Sequence, residues 1–431
     1  MAEIKPLRAW RYNPELSRRI EALTSPLFDV VSDKQREALY EDPYNSIHLS
    51  VPHSTHADVG KLLNRWKYEK VLVQDHLPGI YVYYQHFSLA GSTQAYVRKG
   101  FICHTKAYDW PEQVILRHEN TLPGSVNDRA ELLEKTLLHA SPTHGLYTDP
   151  DFELESYMDE SMRCPIYEVE NYQGVRDVLS VIHDAEVIRK FMRRLSDQQV
   201  ILADGHHRYE GSLTYRRQQM ALHPHHTGQE AYHFHLMYLT NSMAQDLRIL
   251  PIHRLIQHLP DFDPSLLLRK LEAFFTIREV ENPYDLAEVI TGKKWAFGLL
   301  LKDNAYQIKL KPGVHKQLNW KFPAEVNELD LTVLHYFVVE QIFGISGREQ
   351  RNSKHIRYVR NFTECLTQVM RNDAQCALIT NEVSMQEVRK VCASGYTLPP
   401  KSTYFYPKVI CGFVFSSIQA DEFSAPPHSG F

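Results

Sequence analysis

Between positions 200 and 210 the chain reads VILADGHHRYE: an apolar, β-branched run followed without a spacer by an acid, a glycine, two imidazoles and a guanidinium. Left buried and unpaired, such groups cost several kcal/mol, so they must meet water, each other or a ligand. A strand that ends at Asp204-Gly205 and turns into a helix leaves N–H groups unpaired at that helix's N-terminus. The helix dipole adds partial positive charge at the same place. Gly205 has no Cβ and lets a bulky anion approach the main chain. His206, His207 and Arg208 add side-chain donors, and arginine grips phosphate with two parallel bonds. Together these groups make a phosphate cradle. Asp204 then reads as a Mg²⁺ ligand, as a group orienting His206 or His207, or as a base. The plainer reading is an acid at a helix start followed by two surface histidines.

Two further polar blocks stand at element ends. In RHENTLPGSVNDR, Arg117, His118 and Glu119 close an extended run, and Asp128 and Arg129 open the next helix. They either meet in a cleft or form surface ion pairs that contribute little. In LPPKSTYFYPK, two prolines fix an extended approach to Lys401, Ser402, Thr403 and Tyr404; pattern alone favours a structural turn. His253 and Arg254 lie in apolar surroundings, where a cationic pair calls for an anionic partner. Asp29, His48 and His53 also sit among apolar residues, where a lone histidine is more often a satisfied core residue. The run HPHHTGQEAYHFH holds five histidines, but their spacing is irregular and no cysteine joins them. A solvated loop is expected there rather than a metal site. No GxGxxG follows a strand, and GxxxxGK[ST], GxSxG and HExxH are all missing from the sequence.

The elements around these residues suggest a mixed α/β, or α+β, protein. KVLVQ and GIYVYYQHFSLA flank a Pro-Gly turn and read as a hairpin. RAELLEKTLLHA has helical spacing, with Asn127 or Asp128 as its N-cap. GVRDVLSVIH is a strand, and DAEVIRKFMRRL a helix capped by Asp184. VILADG is the next strand, HRYEGSLTYRRQQMAL the next helix, and HLMYLTNS a buried strand. SLLLRKLEAFFTIREVE, KWAFGLLLKD and AYQIKLK read as a helix followed by a strand pair. LDLTVLHYFVVEQIFGI is an apolar helix ended by Gly344. QCALITN, SMQEVRKVCASG and GFVFSSI read as strand, helix, strand. With 431 residues, more than one domain is expected. The division is residues 1–245, a mixed α/β region carrying the cradle; 246–420, a C-terminal mixed α/β region that could equally fold back on the first sheet; and 421–431, a disordered tail.

Composition limits the partners. A formal net charge of −4 with no strongly basic segment argues against nucleic acid. No apolar run approaches the roughly 20 residues that span a bilayer, and the N-terminus has no apolar signal core. Six cysteines scattered singly suggest neither a disulfide framework nor a zinc knuckle. A reduced, cytoplasmic protein is the expectation, and the sequence leaves its oligomeric state open.

The block LADGHHRYE resembles the signature of a large bacterial and archaeal family filed as a domain of unknown function, number ten-fifteen. IKPLRAWRYNP, FDVVSD, LVQDHLPGIYVY, HENTLPGSVNDR, GVRDVLSVI, LPIHR, LDLTVLHYFVVEQIFGI and LPPKSTYFYPKVICGFVF resemble further blocks of that family in the same order, so the resemblance covers essentially the whole chain. More distantly, Asp-Gly-His-His-Arg is similar to the phosphate-binding motif of the ParB and sulfiredoxin superfamily, whose free serine kinases phosphorylate a small hydroxyl substrate. The resemblance implies a ParB/sulfiredoxin-like phosphate-binding domain and a nucleotide (ATP or ADP) or pyrophosphate held at Gly205, His206, His207 and Arg208. Arg129, Arg254, Lys401 and Ser402 are expected to join that set. Asp204 is then the Mg²⁺ ligand or orienting acid, and His206 stands beside it among the catalytic groups. Glu119 and Asp128 are candidates for the base that takes the proton of a small-molecule hydroxyl. The chain departs from the family at Ser25-Pro26-Leu27-Phe28-Asp29, where a tyrosine is usual, at Asp177, where a histidine is common, and in DPYNSIHLS. The expected activity is therefore phosphoryl transfer to a small hydroxyl-bearing metabolite. Its rivals are a nucleotide-operated switch or clamp, and a metal-dependent hydrolase built on His206, His207, Asp204 and Glu119.

Overall fold

The near-continuous apolar runs around residues 80, 100, 200 and 235 form strands buried largely on both faces. The computed structural model describes every residue except Phe28, Asp29, Ala90, Tyr172 and residues 424–431; the expectations for Asp29 and for the end of the tail lie outside the described residues. Two compact units result. The first holds Met1–Arg117, Thr121–Leu247 and the chain from Pro407 on; the second holds His118–Asn120 and Arg248–Tyr406.

The first unit is built on a nine-stranded mixed sheet. Its strands are β1 (Ile4–Lys5), β2 (Ile80–Ser88), β3 (Ala95–Lys106), β4 (Ile115–Arg117), β5 (Thr143–Tyr147), β6 (Tyr167–Glu170), β7 (Arg176–Ile182), β8 (Val200–Asp204) and β9 (Phe234–Asn241). Their order is β6-β7-β2-β3-β9-β5-β8-β4, with β1 paired to the end of β3. β8 runs parallel to β4, and β9 parallel to β5; the other pairs are antiparallel. Four helices matter here: α1 (His56–Tyr68), α2 (Pro123–Thr136), α3 (Ala185–Leu195) and α4 (His206–Leu222). One sheet face packs on Val59, Leu63 and Trp66 of α1 and on the returning segment Val409, Phe413 and Phe415. The other packs on Ile188, Phe191 and Leu195 of α3 and on Tyr209 and Leu213 of α4.

The second unit has a six-stranded, wholly antiparallel sheet. In chain order its strands are β10 (His253–Ile256), β11 (Phe275–Val280), β12 (Ala296–Leu300), β13 (Ala305–Leu310), β14 (Ile356–Val359) and β15 (Cys376–Ile379). They lie in the order β11-β13-β12-β15-β10-β14. No helix among the described residues is long and apolar enough to cross a membrane.

Several local expectations are corrected. Leu72–Gln74 pairs with Trp10–Tyr12 and not with β2, so KVLVQ and GIYVYYQHFSLA form no hairpin. Helix α2 begins at Pro123, with Leu122 as N-cap, and Asn127 and Asp128 lie inside it. Proline at the first helical position, where its missing N–H leaves nothing unpaired, starts the helix earlier than the polar residues suggest. FTIREV is a strand, β11, so three strands follow the helix Pro264–Leu271. Of GFVFSSI only Ser416–Ser417 is strand, paired with Leu138–His139. Asp184 caps α3 as expected, accepting the Val187 N–H at 2.9 Å.

Candidate functional site

Regular alternation would turn Asp204 to the same face as Leu202. Instead the register shifts: Leu202 pairs with Gly145, and two residues on, Asp204 pairs with the adjacent His144. This β-bulge swings the carboxylate to the face on which His144 stacks against Tyr238, ring centroids 5.2 Å apart. There it meets two cations. Arg208, one helical turn on, donates to Oδ2 at 3.0 Å, and Lys408 donates to Oδ1. Burial alone would raise the Asp204 carboxyl; Lys408 and Arg208, with His206, outweigh it and hold the group well below the usual carboxylate range. Lys408 was not among the residues selected from sequence, since it lies 204 positions away.

Gly205 follows with φ +88°, the left-handed region. A Cβ there would lie 2.6 Å from Thr143 Cγ2 and 2.8 Å from Arg208 Nη2. Only glycine fits, and α4 starts directly after it. Arg208 is held further by Ser141 Oγ at 2.9 Å and the Pro142 carbonyl at 2.7 Å. His206 is buried. His207 Nε2 accepts the Leu122 N–H at 3.0 Å, so in this geometry it is an acceptor on that nitrogen rather than the donor the sequence suggests.

That bond joins the starts of two helices. Farther along, Gly211 of α4 lies so close to α2 that a Cβ would meet Arg129 Cβ at 2.9 Å, and Leu133 and Tyr215 share one apolar cluster. Contacts at 122 with 207, 129 with 211 and 133 with 215 advance together, so α2 and α4 run parallel with adjacent N-termini. Neither first turn carries an acid, and two positive helix ends lie side by side. Arg129 and Arg208 also line a recess between the two helices, with Ser50, Leu132, Leu133, His139, Ser212 and His235; its volume of about 50 Å³ is room for a few waters. Arg129 donates to the Ser50 carbonyl at 2.8 Å and to Asp128 at 2.8 Å. Asp128 also faces His56 Nε2 at 3.1 Å.

A second polar group extends across the same sheet face. Asp177 of β7 accepts from Tyr83 at 2.5 Å and Gln85 at 2.7 Å, both on Oδ1. Arg98 of β3 donates to Gln85 and to the Pro407 carbonyl and lies over the Tyr238 ring at 5.5 Å. Burial pushes the Asp177 carboxyl up to about 7, although Tyr83, Gln85 and Arg98 oppose it.

Glu119, Arg254, Lys401 and Ser402 belong to the second unit, whereas Asp128, Arg129 and residues 204–208 belong to the first. The blocks around Glu119 and Lys401 do meet within the second unit: His118 Nε2 pairs with Thr403 Oγ1 at 2.8 Å, and Asn120 donates to Thr397 Oγ1 at 2.9 Å. Lys401 is exposed, and Ser402 is buried with its hydroxyl donated to the Pro399 carbonyl at 2.6 Å. Arg254 is fully buried. The expected anion is replaced by His335 Nε2 at 3.0 Å and by the carbonyls of Ile252 and Lys401.

For Mg²⁺ the fit at Asp204 is poor. Both carboxylate oxygens are engaged by cations, and a divalent ion would have to displace one of them. Arg129 and Arg208 place guanidinium groups near the helix ends, each paired with an acid, Asp128 and Asp204 respectively.

What the first unit defines is a mixed α/β protein in which two parallel helices start side by side. Residues 4–332 match the family model described as Protein of unknown function (DUF1015), and the chain belongs to that family. No curated protein matches the chain. Among solved structures, a conserved hypothetical protein from Pyrococcus furiosus is similar at 11% identity and a TM-score of 0.34, over 75% of this chain and 97% of that one. A free serine kinase in complex with AMP is similar at 11% identity and a TM-score of 0.36, over 75% and 93%. SbnI with C-terminal truncation from Staphylococcus aureus is similar at 12% identity and a TM-score of 0.35, over 73% and 87%.

Proposed function

We propose that the protein binds the phosphate groups of a nucleotide or of pyrophosphate at the paired N-termini of α2 and α4, and transfers a phosphoryl group to a small hydroxyl-bearing metabolite. The observation that carries the binding is the His207–Leu122 bond between two parallel helix starts without an acid in either first turn. Charge-assisted bonds to such a site are worth about 1.5–3 kcal/mol each. The transfer rests on the sequence resemblance of Asp-Gly-His-His-Arg to the free serine kinases.

In that step the acceptor oxygen attacks the terminal phosphorus, the bond to the leaving phosphate oxygen breaks, and the hydroxyl proton passes to a carboxylate. Asp128, in the same unit as the helix ends, is the proposed base. Asp204 acts as the fixed counter-ion that positions Arg208 and Lys408. Any Mg²⁺ would be held by the donor's own phosphate oxygens, which are of the kind it prefers, rather than by Asp204. The test is donor consumption over a panel of small hydroxyl compounds, serine included, alongside calorimetric titration with ATP, ADP and pyrophosphate. Acceptor-stimulated consumption supports the kinase. Tight binding that no acceptor converts into turnover favours a nucleotide-operated switch.

A further inference from the structure

The far end of α4 carries a second cluster that the proposed function does not use. Between α4 and β9 the chain passes through the histidine-rich run expected to be a solvated loop. It folds so that the donor atoms of His226, Glu230 and His233 lie within 4.8 Å of one another. Glu230 is fixed in place: one oxygen accepts the Thr227 N–H at 2.6 Å and its hydroxyl at 2.9 Å, and the other accepts the Gly228 N–H at 2.9 Å.

Both imidazoles carry a buried ring nitrogen without a hydrogen bond among the described residues. His233 is 4% exposed, and its Nε2 is shut off from solvent with no hydrogen-bond partner among the described residues. It faces Glu230 Oε2 at 3.4 Å. His226 Nδ1 is likewise shut off and unpartnered. Each such group costs about 1–3 kcal/mol. Ligand atoms 2.0–2.2 Å from a tetrahedral metal ion are roughly 3.3–3.6 Å apart, so the His233–Glu230 separation already suits a shared ion. Imidazole with carboxylate is a donor set for zinc and its neighbours, whereas Ca²⁺ and Mg²⁺ prefer all-oxygen sites. Of the cations nearby, Lys106 is paired with Glu3 at 2.9 Å and Arg216 with Asp109 at 2.9 Å. Lys5 donates to Gln229 at 2.6 Å.

We propose that His226, Glu230 and His233 bind one first-row transition ion of the zinc class, with water completing the coordination. The ion ties the connection between α4 and β9. Helix α4 has 17 residues, about 25 Å of rise, so this site stands apart from the anion site and stabilises the fold rather than taking part in transfer.

Chelator-treated protein titrated with Co²⁺, then with Zn²⁺, tests this. One equivalent of Co²⁺ is expected to produce visible absorption bands of low coordination number, which Zn²⁺ abolishes while raising the melting temperature. His226→Ala and His233→Ala should each weaken uptake tenfold or more, and His226→Gln provides a second variant at the less buried position. Substituting the exposed His223 and His225 by Ala should leave uptake unchanged. The proposal is overturned if the parent protein takes up no stoichiometric ion. It is equally overturned if His223→Ala or His225→Ala weakens uptake as much as His226→Ala does.

Discussion

His207 Nε2 accepts the backbone N–H of Leu122 at 3.0 Å, which ties the second residue of α4 to the N-cap of α2. The bond fixes two helix ends whose positive poles would otherwise repel each other, and so preorganises a place for an anion. His207→Ala should lower affinity for ADP or pyrophosphate at least tenfold and destabilise the fold by about 1 kcal/mol. Calorimetry and urea unfolding read the two effects separately. Unchanged affinity would show that the helix pairing has no part in binding.

Asp204 should control acid stability. Its folded-state pKa is depressed, so its contribution is complete above the unfolded value of about 3.9 and is lost as pH falls below it, toward the folded value. Asp204→Asn removes that dependence and leaves Lys408 and Arg208 without a counter-ion. Breaking a buried pair in this way costs on the order of 3–5 kcal/mol. Urea midpoints measured down the acid range should show a lower and flatter profile for the variant.

For Asp177 the sign reverses. Its folded-state pKa is raised to about 7, so stability is greatest below about 3.9 and falls as pH rises through 7. The slope reaches at most about 1.4 kcal/mol per pH unit. Oδ2 has no hydrogen-bond partner among the described residues, as suits a carboxyl that keeps its proton. Asp177→Asn should therefore fold, and should gain on the parent between about pH 4 and 7. Parallel melting curves for the two proteins over that range would mean that the carboxyl is ionised throughout.

Gly205→Ala combines two faults, a positive φ and a Cβ 2.6 Å from Thr143 Cγ2. A loss of about 1–3 kcal/mol is expected, along with weaker phosphate binding. A variant as stable as the parent would mean that the turn relaxes readily.

The sequence made the strand–helix junction at residues 200–208 legible, because an apolar run ending at Asp-Gly has few alternatives. It could not reveal the bulge that re-aims Asp204, since that depends on pairing with His144 from another strand. Lys408 stood in a recognised block, yet nothing local marks it as the partner of an acid 204 positions earlier. The false hairpin had sound turn chemistry at Pro78-Gly79; the competing pairing with residues 10–12 is long-range and leaves no local signal. The irregular spacing of the histidines around His226 and His233 makes the run read as a solvated loop. Spacing is informative on a regular helix or strand, but a turn and a 3₁₀ segment bring His226, Glu230 and His233 together here.

Calorimetric titration of the purified protein with pyrophosphate and ADP, repeated with Gly205→Ala and His207→Ala, tests the central claim most directly. Saturable binding of both ligands by the parent is predicted, weakened at least tenfold in each variant while circular dichroism stays native. Absence of binding to either ligand, or equal affinity in all three proteins, would contradict the assignment of a phosphate site to the paired helix ends.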